Sequence, residues 1–261
     1  MKTKFHPFHI LDNSPWPVIM SLNILSVASL LSSSFFWGVS LLLIVPVLGL
    51  LFSVSLWWRD VVAESLFQGN HTKEVVSGLR AGVLMFILSE VMFFFSIFFA
   101  FFFISLSPDV SVGMEYPPVG VGSLNIFSVP LLNTIILLSS GVSLTWSHHS
   151  LLEKNLFNSN LGLLISISLG SWFLFLQNKE YLDCPFDISD SVFGSLFFMG
   201  TGFHGLHVLI GTIFLLISLI RSMMGHFSPC HCLGFEASAW YWHFVDVVWL
   251  FLFVTVYWWG M

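Results

Sequence analysis

Charged residues are scarce in this sequence. Asp, Glu, Lys and Arg make up 8% of its 261 residues, whereas soluble domains carry about 25%. Because so few charges cannot keep a folded surface in water, the composition excludes a soluble enzyme, a secreted disulfide scaffold, a coiled coil and a disordered tail. The net charge of -6 comes without a basic stripe that could neutralise phosphates, so nucleic acid is excluded as a partner.

Cysteine is also rare. The three cysteines are Cys184, Cys230 and Cys232, an odd number of which the last two are too close in sequence to pair easily, so no disulfide framework is predicted. Cys230, His231 and Cys232 look like a fragment of a soft-metal site, but a metal centre needs three or four convergent ligands. The ten histidines contain no HxxxH or HExxH pattern. We therefore predict no metal and no haem in this chain.

Apolar residues are abundant, at 56% of the sequence, with 30 Phe and 11 Trp. A helix that crosses the hydrocarbon core of about 30 Å needs about 20 apolar residues, so each long uncharged stretch is a candidate span. The sequence predicts an all-α polytopic membrane protein with seven transmembrane helices. The predicted spans lie between Asp12 and Arg59 (two spans, with a turn near Ser32, Ser33, Ser34 and Gly38), Arg80 and Asp109, Leu131 and Glu153, Lys154 and Lys179, Asp190 and Arg221, and after Glu236.

The Lys and Arg residues predict the orientation of the spans, because basic residues accumulate on the inner side of a membrane. With the N-terminus inside, seven spans place every Lys and Arg except Lys179 on the inner side. The acidic loops at 107–128 and 178–190 then face outward. We expect the N-terminus on the inner side and the C-terminus on the outer side.

A polar break at residues 59–74 interrupts the apolar pattern. We interpret the chain as a single membrane domain, 1–261, with a hinge at this break. The two parts on either side of the hinge are a two-helix bundle at about 15–66 and a five-helix bundle at about 73–258.

Span six is rich in glycine, and small residues allow two helices to approach closely within a membrane. We therefore predict that span six packs against its neighbours through these positions. The glycines are Gly194, Gly200, Gly202, Gly205 and Gly211.

Ionisable residues within the spans are functional candidates, because a charge in hydrocarbon is costly. Glu90 lies about 15 Å into span three, near the middle of the membrane. It is either a proton-handling or lipid-facing carboxyl, or a protonated carboxyl that is hydrogen-bonded within the bundle. Asp246, a second buried carboxylate candidate, shares a helix face with His243, as His204 does with His207. We expect these three histidines to make buried polar contacts across the bundle.

Basic and indole side chains are concentrated at the predicted inner membrane interface. Basic pockets between helices bind anionic lipid headgroups at that depth, and tryptophan flanks them well. An ordinary aromatic belt with snorkelling basic side chains is the alternative interpretation. The candidate lipid-binding residues are Trp57, Trp58, Arg59, Glu64, His71, Arg80 and Arg221.

Several motifs resemble those of one known family, subunit III of the cytochrome c oxidases of mitochondria and aerobic bacteria. They run through essentially the whole chain, and are weakest in spans one and two, in the 107–122 loop and at residues 230–232. The motifs are WWRDVVAES (57–65), FQGNHT (67–72), GLR (78–80), SEVMFF (89–94), VPLLNT (129–134), SHHSL (147–151), TGFHGLHVLIG (201–211) and GFEASAWYWHFVDVVWLFLFV (234–254).

The resemblance implies a two-helix and a five-helix bundle with phospholipid in a V-shaped cleft between them. It also implies a non-redox subunit of the respiratory complex that reduces oxygen with electrons from cytochrome c and pumps protons, supporting proton uptake and protecting the catalytic subunit. Haem and copper would belong to partner subunits I and II. The implied location is the mitochondrial inner membrane, with the N-terminus in the matrix and the C-terminus in the intermembrane space.

Two other classes of protein were weighed against this one. A proton-coupled secondary transporter would use Glu90 and Asp246 as carriers, but transporters of that kind usually show internal repeats with broken helices, and the sequence shows none. A membrane metalloenzyme would need histidine-rich ligand boxes, which the sequence lacks. Both alternatives are therefore less favoured than the oxidase subunit.

Overall fold

The computed structural model describes residues 6–38, 41–108, 110, 113–118, 122, 124–229 and 231–260. Apart from one isolated bridge between Ser228 and His231, the regular structure of these residues is helical. Lys2, Lys4, Asp109 and Cys230, which the sequence predictions used, lie outside them. The elements are α1 (Trp16–Trp37), α2 (Ile44–Leu66) preceded by a 3-10 turn (Leu41–Leu43), α3 (Lys73–Leu106), α4 (Val129–Leu152), α5 (Leu156–Asp183), α6 (Val192–Met223), α7 (Leu233–Leu252) and a π-helical segment (Phe253–Trp259).

Among the described residues, seven helices are long and apolar enough to cross a membrane. The predicted all-α class and the seven spans are therefore confirmed. The chain divides into two compact units, Met1–Leu79 and Arg80–Met261.

The turn predicted near Ser32, Ser33, Ser34 and Gly38 is confirmed at Gly38 and wrong at the three serines. Ser32, Ser33 and Ser34 lie within α1, where the Ser32 hydroxyl donates to the Ala28 carbonyl at 2.9 Å. A serine that bonds back to its own helix in this way does not break it in a membrane. The helix ends at Trp37, and Gly38, which the prediction included, follows it in the left-handed conformation, with φ 66°, that favours glycine.

Several helices extend beyond the charges that were taken as their limits. α3 begins at Lys73, ahead of Arg80, and α5 continues past Lys179 to Asp183. A long charged side chain can place its charged end in the headgroup layer while the helix that carries it continues beyond that position. The charges therefore mark the edge of the hydrocarbon, whereas the helices end further along the chain.

Within the first unit, α1 and α2 pack through small and polar side chains. Ser53 is buried, and its hydroxyl accepts a hydrogen bond from Asn23 Nδ2 at 3.2 Å. Near the other end of the pair, Trp16 Nε1 donates to Asp60 Oδ2 at 2.7 Å. These two contacts connect α1 and α2 at two separate levels.

Within the second unit, α7 provides the largest buried side chains, Trp242 and Trp249. Both indoles donate to hydroxyls on α4: Trp242 Nε1 to Ser140 Oγ at 2.9 Å, and Trp249 Nε1 to Thr134 Oγ1 at 3.0 Å. A buried indole needs such a partner, because its unpaired N–H would remain unsatisfied in an apolar core. The two bonds fix the register of α7 against α4.

Close helix approach depends on glycine at only some of the predicted positions. A Cβ on Gly211 of α6 would lie 2.9 Å from Trp242 Cε3, whereas one on Gly205 would meet nothing within 4 Å. On α5, a Cβ on Gly170 would lie 2.5 Å from Trp242 Cη2 and 2.7 Å from Thr212 Cγ2. Trp242 therefore occupies space that a larger residue at Gly170 or Gly211 would fill.

We predict that Gly170→Ala lowers the free energy of unfolding by about 1–3 kcal/mol relative to Gly205→Ala, because the added methyl group forces Trp242 out of its position. Both variants gain the same intrinsic helix propensity, so their difference measures the clash. The measurement is an SDS titration of the detergent-solubilised chain followed by circular dichroism. Equal stability of the two variants would contradict this account of the packing.

Candidate functional site

Glu90 of α3 and His207 of α6 form a carboxyl–imidazole pair. Glu90 Oε2 lies 3.0 Å from His207 Nε2, and His207 Nδ1 lies 2.6 Å from the carbonyl oxygen of Phe203, one turn earlier on α6. Since a carbonyl oxygen can only accept, Nδ1 carries a proton. Nε2 therefore either accepts a hydrogen bond from the hydroxyl of a neutral Glu90 or, in the imidazolium form, donates one to a charged Glu90. The two states differ only in the position of one proton.

Aromatic rings surround this pair. The His207 ring centroid lies 5.0 Å from that of Phe94 and 6.3 Å from those of Tyr241 and Phe244. The side chains of His207 and Glu90 retain 12% and 24% of their exposure. The rings exclude most solvent and hold the imidazole in position, so the shared proton lies in a medium of low polarity.

His204 has a different environment from His207, although both belong to α6. It is fully buried, its Nε2 donates to the Val245 carbonyl of α7 at 3.2 Å, and its ring packs against Phe173 and Trp249. Its Nδ1 has no hydrogen-bond partner among the described residues. His204 therefore connects α6 to α7 and lies apart from the Glu90 carboxyl.

His243 and Asp246 face each other on α7, with Nδ1 and Oδ2 3.9 Å apart. The Asp246 side chain is 8% exposed and that of His243 41% exposed. A Cβ on Gly141 of α4 would lie 2.6 Å from Asp246 Oδ2. The absence of a side chain at Gly141 is thus what leaves room for the buried carboxylate.

The candidate lipid-binding residues before Leu79 surround the end of α2. Trp58 is 64% exposed, whereas Trp57 is half-buried. The Arg59 side chain is 66% exposed and pairs with the adjacent Asp60 at 3.0 Å. Trp58 and Arg59 therefore expose an indole and a guanidinium at consecutive positions of α2.

Glu64 and His71 are connected through His9, which the sequence analysis did not single out. His9 Nε2 lies 3.0 Å from Glu64 Oε2, and the His9 and His71 rings are 6.0 Å apart. The N-terminal segment thus contacts two positions within the polar break.

Arg80 and Arg221 belong to the second unit and have local partners there. Arg80 forms a two-pronged ion pair with Glu236, with a shortest distance of 2.9 Å. Arg221 is partly buried, with its guanidinium 4.6 Å from the centre of the Phe227 ring. Neither arginine is as exposed as Arg59.

Glu180 is the buried carboxyl that the sequence analysis missed. It was assigned to an outward-facing acidic loop, but it lies on α5 with 5% exposure, beside a cleft that Asp183 also lines. Phe173, Gln177 and Glu180 are all buried, and their spacing of four and three residues is the helical signal that would have revealed it. Gln177 in turn accepts a hydrogen bond from Asn133 at 3.3 Å.

One group of side chains has the chemistry of a metal site. His148, Cys232 and Glu236 each place one ligand atom within 4.8 Å of the other two. The sequence analysis noted Cys232 only as part of a loop motif and did not relate it to His148 of α4.

Comparison with known proteins identifies the family. Residues 6–261 match the family model of cytochrome c oxidase subunit III. The protein named cytochrome c oxidase subunit 3 from Drosophila melanogaster is 53% identical over 98% of this chain and 97% of its own length. The protein of the same name from Patiria pectinifera is 53% identical over 99% of this chain and 99% of its own length. The protein of that name from Anopheles gambiae is 52% identical over 98% of this chain and 97% of its own length. The chain therefore belongs to the cytochrome c oxidase subunit III family.

Proposed function

We propose that this chain is a non-redox, supporting subunit of a cytochrome c oxidase, the complex that reduces oxygen to water with electrons from cytochrome c and pumps protons. In this proposal subunits I and II hold the haem and copper, and further subunits complete the complex. This chain binds phospholipid, aids proton uptake and stabilises the catalytic subunit. The observation that carries the proposal is the match to the family over nearly the full length of the chain.

The Glu90–His207 pair supports a role in handling protons. A proton can move between Oε2 and Nε2 across 3.0 Å while His207 Nδ1 keeps its bond to the Phe203 carbonyl. The pair can therefore hold one proton without rearranging the helices around it. The transporter alternative required Glu90 and Asp246 to act as carriers, and the family match supports the oxidase subunit instead.

Phospholipid binding is supported by the exposed Trp58 and Arg59 side chains. An indole favours the headgroup layer, and a basic side chain near a membrane surface is worth about 1 kcal/mol of attraction to anionic lipid. We propose that these residues bind a lipid headgroup with Trp57 beside them. The remaining candidates, which contribute at their own positions, are Glu64, His71, Arg80 and Arg221.

The chain is a multi-pass membrane protein, and we propose that it resides in the mitochondrial inner membrane. The distribution of Lys and Arg supports an N-terminus in the matrix and a C-terminus in the intermembrane space. Lys154 and Lys179, at opposite ends of α5, are both exposed. They can therefore report the orientation directly.

We expect a membrane-impermeant amine reagent to label Lys179 in mitoplasts and Lys154 in inside-out inner-membrane vesicles, because seven spans place the two amines on opposite sides. Peptide mass spectrometry identifies the labelled lysine. Labelling of both from the same side would exclude the seven-span arrangement.

Replacement of Glu90 tests its supporting role. Glu90→Gln retains a hydrogen-bonding group for His207, whereas Glu90→Ala leaves Nε2 without a partner at a cost of about 1–3 kcal/mol. We expect haem and copper spectra of the complex to be unchanged in both variants, and loss of activity during turnover to be faster for Ala than for Gln. Ser89→Ala, at the neighbouring exposed position, is the control. Complete loss of oxygen reduction in Glu90→Gln would show an obligatory proton carrier instead.

A combined Trp58→Ala, Arg59→Gln variant tests lipid binding without breaking the Arg80–Glu236 ion pair. We expect less phospholipid to copurify with the complex and its active lifetime to shorten, because both an indole and a charge are removed from the headgroup layer. Lipid mass spectrometry gives the amount, and Lys179→Gln controls for loss of one positive charge. An unchanged phospholipid content would contradict the assignment.

A further inference from the structure

We propose that His148, Cys232 and Glu236 form a binding site for a divalent ion of the zinc class. The imidazole nitrogen, thiol sulfur and carboxylate oxygen lie within 4.8 Å of one another. No step of the supporting role proposed above uses this site, so the two proposals can fail independently.

Two of the ligands are held at the start of one helix. Cys232 caps the N-terminus of α7, and the Glu236 amide, one turn later, donates to the Cys232 carbonyl at 3.0 Å. This i, i+4 spacing places both side chains on the same face. The Cys232 thiol lies 3.6 Å from Glu236 Oε1, to which it donates. The pair is thus assembled before any ion arrives.

The third ligand comes from α4. The His148 ring stacks on Phe235 with centroids 5.4 Å apart, and its buried Nε2 has no hydrogen-bond partner among the described residues. A buried nitrogen without a partner is costly in a folded protein. Coordination of an ion would satisfy such a nitrogen. The unpartnered Nε2 is an observation independent of the clustering of the three side chains.

The ligand types select the ion. One sulfur, one nitrogen and one oxygen suit a borderline ion such as zinc, whereas magnesium and calcium require mostly oxygen ligands. Zinc holds nitrogen at about 2.0–2.1 Å and sulfur at about 2.3 Å, so side-chain rotations of His148 and Glu236 bring the ligands into range. Water completes the coordination.

Coordination changes the charges at the site. The Cys232 thiol loses its proton to solvent, and the resulting thiolate and the Glu236 carboxylate offset the charge of the divalent ion. Arg80 contacts Glu236 at 2.9 Å in this structure, so the ion shares that carboxylate with a guanidinium. Because a proton is released, binding strengthens as the pH rises.

The test uses the full chain in detergent, loaded with one equivalent of zinc and studied by X-ray absorption spectroscopy. We expect one sulfur neighbour at about 2.3 Å and nitrogen or oxygen neighbours at about 2.0–2.2 Å. Cys232→Ser removes the sulfur neighbour and weakens zinc binding by at least about tenfold, since even the loss of a residue that supports a ligand has an effect of that size. His148→Ala weakens binding similarly.

Cys184→Ser and Cys230→Ser are the matched controls, and circular dichroism verifies that every variant keeps its helices. Burial raises the pKa of the Cys184 thiol, so this residue is a poor competing ligand. Both controls should retain the sulfur neighbour and the affinity. Absence of a sulfur neighbour in the unmodified chain, or its loss in either control instead of in Cys232→Ser, would overturn the proposal.

Discussion

Hydrocarbon supplies no hydrogen-bond partners, and this constraint governs both the backbone and the polar side chains of the chain. All seven spans are helical because a helix satisfies its own amides. Serine hydroxyls follow the same rule: Ser26 donates to Leu22 and Ser29 to Leu25 within α1, each at 2.8 Å. A side chain that cannot bond to its own helix bonds to a neighbouring helix instead, as the Trp242 indole does when it donates to the Ser140 hydroxyl. The interhelical hydrogen bonds of the second unit involve such groups and also serines that bond to their own helix, as Ser143 and Ser166 do.

The number of spans was predictable because charged residues interrupt long apolar stretches. The ends of the helices were not, since helical hydrogen bonding continues into the headgroup layer, as it does at Lys73 and at Asp183. A local count of charges cannot separate the limit of the hydrocarbon from the end of a helix. Gly38 was a better signal than the serines before it, because its backbone conformation ends α1 whatever the surroundings.

The candidate site was predictable only in part. An isolated glutamate in an apolar span identified Glu90, but its partner depends on which face of α6 meets α3, and His204 and His207 were equivalent by spacing. His148 and Cys232 are distant in sequence, so nothing before the fold relates them. For Arg80, nearby sequence suggested a different partner from the one in the fold. Basic and indole residues close to it in sequence suggested lipid, whereas the side chain contacts Glu236, which is remote along the chain.

The serine hydroxyls of α1 also bear on how the protein is made. Ser26, Ser29, Ser32 and Ser33 each bond to a carbonyl of the same helix, and no residue of α1 is buried. The serine hydroxyls of this helix therefore need no later part of the chain to make them compatible with lipid, whereas Asn23 and Trp16 take their partners from α2. The first two helices can enter the bilayer as a pair once α2 has been synthesised, while α4 to α7 exchange side-chain bonds that form only after several spans have been synthesised. Biogenesis can accordingly proceed in the order in which the chain is translated.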